Sequence, residues 1–166
     1  MSQDFYLGNP NLKKVGTEIQ FTKEQIAEYL KCKEDPVYFA MTYIKIISLD
    51  EGIVPFKMWD FQQELIESFH ENRFNIAKLP RQTGKSTTCV SYLLHYILFN
   101  DNVNVGILAN KLSTARDLLG RLQLAYEQLP LWLQQGIVVY NKGSMELENG
   151  SKILAASTSA SAVRGM

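Results

Sequence analysis

The sequence predicts an α/β fold, with a parallel sheet flanked by helices and a small antiparallel hairpin near the C-terminus. Three observations carry this expectation. Ile76, Ala77 and Leu79 form a short apolar run that breaks at Pro80 to Gly84 and gives way, from Lys85, to a long apolar helix. A second apolar run, Val103, Val105, Ile107 and Leu108, follows that helix, and strand, helix, strand is the unit of a crossover with parallel strands. Asn149-Gly150 then joins two short runs, the strongest hairpin signal in the chain.

Composition bounds the rest. A chain of 166 residues, 46% hydrophobic and 20% charged, suits one ordinary globular domain with its own core and no disordered bulk. The formal net charge is zero, so contact with nucleic acid must come from local patches. Cys32 and Cys89 are far apart and lack metal-ligand spacing, which predicts two reduced thiols. The start, MSQDFYLGNP, has no apolar signal core, and no run reaches the length of a membrane span. A cytoplasmic protein without a membrane partner is the expectation.

In chain order, residues 1–20 are polar and punctuated by Gly8, Pro10 and Gly16, an arm lying on something else. Lys13 and Lys14 are expected as a solvated pair. Residues 21–58 form an accessory helical segment. Thr22 and Gln25 fit a capping box, with Ile26, Tyr29 and Leu30 at helical spacing to about Lys33. Asp35 before Pro36 opens a second helix carrying Tyr38, Phe39, Met41 and Tyr43. Ile44 to Glu51 imitates an apolar strand ending in acids, but Asp50, Glu51 and Gly52 are assigned to a surface turn. Residues 59–166 are then the main domain. Met58 to His70 is amphipathic, with Phe61, Leu65, Ile66 and Phe69 on one face. Gln62 offers a donor and an acceptor matched to the N6 and N7 edge of adenine, and Phe61 is placed to cover the base, although an exposed helix glutamine has the same pattern.

The stretch FNIAKLPRQTGKSTT, Phe74 to Thr88, carries the chemistry. A loop wrapped around a helix start points unpaired N–H groups and the positive end of the helix dipole at an anion. Pro80, Arg81, Gln82, Thr83, Gly84, Lys85, Ser86 and Thr87 make up this phosphate-binding loop. Gly84 allows close backbone approach, Lys85 reaches the β and γ groups of ATP, Ser86 is a hard oxygen ligand for Mg²⁺, and Thr87 lies near the α-phosphate. Arg81 is a second cation for a γ-phosphate gaining charge in the transition state. Leu79 stands where the usual motif begins with glycine.

Past Thr88 the helix VSYLLHYILF is apolar nearly all round, with His95 as a core histidine. Lys111 to Gln128 return to helical period through Leu118, Leu119, Leu122 and Tyr126. Lys111, Arg116 and Arg121 gather opposite, either on a DNA backbone or on a solvated face. Ile137 to Tyr140, Ser144 to Glu148 and Lys152 to Ser157 are short strands, with Met145 and Leu147 alternating against a wet side at Glu146 and Glu148.

Together LPRQTGKSTT, the upstream DFQ, GILANKLSTARDLLGR, GIVVYNKGSMELENGS and AVRG resemble the ATPase domain of the large terminase subunit of tailed bacteriophages, most closely the contractile-tailed type. The likeness runs from about Leu7 to Gly165, and the arginine-bearing loop without its first glycine is the family's own variant. It implies a P-loop NTPase of the ASCE type, an ATP hydrolase that drives double-stranded DNA into a procapsid. Arg81 and Lys85 would be its catalytic cations and ATP with Mg²⁺ its cofactors. Implied partners are DNA, the portal ring, the small terminase subunit and, at full length, further copies in a ring. The implied place is the cytoplasm of the infected host, transiently at the portal. Lys57 departs from the family, standing where a second glutamine is expected.

In the family the acidic strand and its carboxylates follow AVRG, and a nuclease domain comes later. The chain is therefore expected to be a truncated N-terminal fragment that hydrolyses little or no ATP. Because the acidic strand lies between the two strands predicted here, they are expected to lack their shared neighbour and to leave edges unpaired. Two rivals remain. One is a superfamily-2 helicase-like translocase, distinguished by a second motor domain. The other is a non-catalytic nucleotide-binding or assembly module, distinguished by tight ATP binding without turnover.

Overall fold

The computed structural model describes residues 4–48 and 50–158. Helix α1 (Lys23–Glu34) starts where Thr22 accepts from the Gln25 N–H while the Gln25 side chain accepts from the Thr22 N–H, the capping box the sequence specifies. Helix α2 (Pro36–Tyr43) starts at Asp35, whose carboxylate accepts from the Tyr38 N–H at 2.8 Å. Glu28 on α1 accepts from the hydroxyls of Tyr38 and Tyr43 at 2.8 and 2.9 Å, tying α1 to α2.

A hairpin follows, β1 (Lys45–Ser48) with β2 (Gly52–Pro55), and Asp50 and Glu51 sit in its turn. Helices α3 (Asp60–Glu71) and α4 (Lys85–Phe99) come next, then β3 (Asn104–Ala109), α5 (Leu112–Glu127), β4 (Ile137–Tyr140), β5 (Ser144–Leu147) and β6 (Lys152–Ser157). The sheet is four-stranded and mixed, in the order β3-β6-β5-β4. Only β3 and β6 are parallel, with Val105 opposite Ile153; β6 to β5 and β5 to β4 are antiparallel.

The expected strand over Ile76 to Leu79 does not form, which corrects the predicted crossover and the predicted parallel sheet. Residues 74–80 belong to no sheet, and Ile76 is 100% exposed and Phe74 83%. An apolar run becomes a strand only when another strand satisfies its N–H and C=O groups. None is beside it among the described residues, and β3 has no partner on the edge away from β6. The opposite edge, β4, is covered: Lys14 bridges Ile137 in parallel fashion and the Ile137 N–H donates to the Lys13 carbonyl at 2.8 Å.

That bridge also corrects the N-terminal arm. Lys13 is buried, not solvated, and its ammonium meets Glu148 at 3.2 Å; Lys14 is exposed. Glu148 likewise is not on a wet side. Its carboxylate accepts from the N–H groups of Gly16 and Gly136, at 3.1 and 2.6 Å, as well as from Lys13.

The core is continuous. On α5, Ala115, Leu119, Leu122 and Tyr126 recur at helical spacing and face the sheet, meeting the buried Ile107, Ile137, Met145, Leu147 and Ile153. On its other flank α5 packs α4, whose Leu94, Ile97 and Leu98 are enclosed. Each such leucine or isoleucine stabilises the fold by about 2 kcal/mol. Phe39, His95 and Phe99 stack edge-on at the junction of α1, α2 and α4, so His95 is the core histidine expected. Both cysteines are free thiols. No described helix is long and apolar enough to cross a membrane. The AVRG stretch, 162–165, lies outside the described residues.

Candidate phosphate-binding site

Two helices and a turn build the site. The chain leaves α3, runs extended through 74–79 and turns at Pro80 to Gly84 into α4. Gln82 and Gly84 both have left-handed backbone, φ 64° and 73°, which lets the chain double back in so few residues. Helices α1 and α2 have side-chain caps, but Gly84 offers α4 none. The N–H groups of Gly84, Lys85, Ser86 and Thr87 therefore have no hydrogen-bond partner among the described residues. Four donors aimed outward from a helix start constitute an anion-binding nest.

The loop is internally braced. Gln62 is 3% exposed, accepts from the Trp59 N–H at 3.0 Å and donates to the Thr83 carbonyl at 3.1 Å. Its amide is thus committed at both ends, and in this conformation it holds the loop and presents no free edge to a base. A Cβ on Gly84 would stand 2.5 Å from the Gln62 Nε2, so glycine is needed there for space as well as for φ. Thr83 donates its hydroxyl to the Pro80 carbonyl at 3.0 Å, closing the turn. Thr88, fully buried, donates to the Gly84 carbonyl at 3.2 Å and pins the helix start from below.

Lys85 folds back across the turn. Its ammonium donates to the carbonyls of Leu79 and Pro80 at 2.5 and 2.9 Å. It therefore stands over the loop mouth, where the loop's own oxygens take the positive charge. Arg81 and Ser86 are exposed, Gln82 also, and Thr87 is half-buried with its carbonyl bonded by Ser91. Arg81 has no ion-pair partner among the described residues. Phe61 is half-buried, with its ring 5.6 Å from that of Trp59.

The structure thus brings Gln62, Pro80, Thr83, Gly84 and Lys85 into direct contact and places Arg81, Gln82, Ser86 and Thr87 around them. The sequence reading missed three contributors. The Leu79 carbonyl and Thr88 act through the fold of the turn, which no residue type announces. Trp59, 61% exposed, is an aromatic directly ahead of DFQ and was legible as such. The predicted basic face of α5 is split. Arg116 lines one cleft with Lys142, while Arg121 lines another with Lys45, about 140° around the helix at ~100° per residue. Compared with protein-family models, the chain matches none.

Proposed function

We propose that the Pro80 to Thr87 loop binds the phosphates of ATP and that the chain contributes the nucleotide-binding part of a DNA-packaging motor of the large-terminase kind. The observation that carries the nucleotide reading is the row of unbonded N–H groups from Gly84 to Thr87, with Lys85 resting on the carbonyls of Leu79 and Pro80. An arriving phosphate gives Lys85 a stronger partner than two neutral carbonyls, because charge-assisted hydrogen bonds are roughly twice as strong. The ammonium would exchange those oxygens for phosphate oxygens, and the amides would complete the cradle. Arg81, exposed beside the turn, is the second cation for the terminal phosphate.

Mg²⁺ fits this donor set. The Ser86 hydroxyl is a hard oxygen at the right turn of the helix, and Mg²⁺ takes few protein ligands, the rest coming from phosphates and water. None of the loop side chains is a general base, so these residues bind and neutralise charge and do not activate water. Adenine recognition by Gln62 requires its amide to leave Thr83; Phe61 and Trp59 supply the stacking surface beside it. What supports DNA packaging over other nucleotide-driven machines is the ordered set LPRQTGKSTT, DFQ, GILANKLSTARDLLGR and GIVVYNKGSMELENGS.

Calorimetric titration with MgATP tests the nucleotide reading. Saturable binding that weakens at least about tenfold in Lys85→Ala is expected, the loss of one charge-assisted contact. Binding unchanged by that substitution would refute it.

A further inference from the structure

A cleft of about 380 Å³ lies between β1, α4 and α5. Ile46, Val90 and Leu124 make it apolar, and Lys45 and Arg121 stand exposed at its edge, neither of them in an ion pair among the described residues. Ile47 and Ile53, opposite one another in the hairpin, extend the apolar surface with 65% and 55% exposure. Such a patch is larger than scattered surface hydrophobics and is rimmed by cations. Its complement is an apolar knob flanked by carboxylates.

The other flank of α4 carries that complement. On α3, Asp60, Glu64, Glu67 and Glu71 fall within about 60° of arc at ~100° per residue. All four are exposed and none is in an ion pair among the described residues. Trp59, 61% exposed, stands at the head of the same helix. Because α4 lies between α3 and α5, the two surfaces are on opposite flanks and cannot meet within one molecule. Between two molecules they meet head to tail.

We propose that this chain self-associates in that way, with Trp59 and the acidic face of α3 from one copy seated in the cleft edged by Lys45 and Arg121 on the next. An aromatic side chain filling a pocket, with charge pairs at a wet rim, is how most binding energy is concentrated in protein interfaces. The zero net charge leaves no overall repulsion between copies. The contact needs no nucleotide, so it stands or falls apart from the ligand of the phosphate loop.

Sedimentation velocity on the full chain tests this. The parent chain associates, less strongly as salt rises, because rim charges are screened. Lys45→Glu with Arg121→Glu, and separately Glu64→Lys with Glu67→Lys, each lower the association constant about tenfold or more while leaving the circular dichroism unchanged. Mixed in equal amounts, the two charge-reversed variants associate again, since each offers the other a complementary face. Trp59→Ala weakens association without altering its salt dependence. A parent chain that remains monomeric, reversed variants that associate like the parent, or a mixture that stays monomeric overturns the proposal. So does a monomeric parent whose Lys45 and Arg121 bind a short DNA duplex, which would assign those cations to a nucleic-acid backbone.

Discussion

Gly84 meets two separate demands, and a substitution there separates them. Its φ of 73° costs a residue with a Cβ about 1–2 kcal/mol. The Cβ itself would press on the Gln62 amide at 2.5 Å. Urea denaturation of Gly84→Ala should therefore show a loss larger than the backbone cost alone. In a Gln62→Ala background the crowding is gone, and the loss should shrink by about 1 kcal/mol, the coupling expected of touching residues. A zero coupling would mean that Gln62 does not brace the loop. The order of residues around GKS was legible in the sequence, since each acts through its own chemistry. The contact between Gln62 and Thr83 was not, because it depends on how α3 packs against α4.

Among elements, the α1–α2–α4 junction contains a titratable group held neutral. Burial pushes the His95 pKa from 6.5 down to about 4; the hydrogen bond to the Cys32 carbonyl opposes this, and His70 on α3 adds to the lowering. With Nε2 bonded to that carbonyl, Nδ1 has no hydrogen-bond partner among the described residues, so a second proton would find no acceptor. Asp35 faces the ring from the α1–α2 corner, and Tyr92 stacks on it from α4. Between pH 6.5 and about 4 the unfolded chain binds a proton that the folded chain refuses. Stability therefore falls on acidification across that window, by about 3 kcal/mol in all. Above pH 6.5 the term vanishes. Denaturation midpoints of the parent and His95→Leu, compared across this range, should diverge accordingly.

The arm held against β4 makes a second prediction at this scale. Glu148→Ala strips an acceptor from Lys13, Gly16 and Gly136 together, and should cost about 2 kcal/mol in urea, since orphaned buried donors cost more than a bond is worth. Lys14→Ala, at an exposed side chain, should cost under about 0.5 kcal/mol. Helix limits were legible to within a residue or two, because caps such as Thr22 and Asp35 are local. The burial of Lys13 was not, because its partner lies 135 positions away.

For the whole molecule, the sheet is the incomplete part. Ile76 and Phe74 are exposed beside no strand, and β3 has an unpaired edge among the described residues. The sequence showed an apolar run of strand composition but not the neighbour a strand requires, which is why residues 74–79 were misread. Exposed apolar edges promote association of a less specific kind. Phe74→Ser with Ile76→Thr should leave stability within about 0.5 kcal/mol and slow aggregation measured by light scattering. A large loss of stability would show that these side chains pack in solution.

The central claim is that main-chain amides at the head of α4 grip a triphosphate with the help of Lys85. Backbone amide NMR during MgATP titration tests it most directly. The N–H resonances of Gly84, Lys85, Ser86 and Thr87 should shift together and saturate, and Lys85→Ala should abolish the response. Shifts confined to other parts of the chain, or none at saturating nucleotide, would contradict the account.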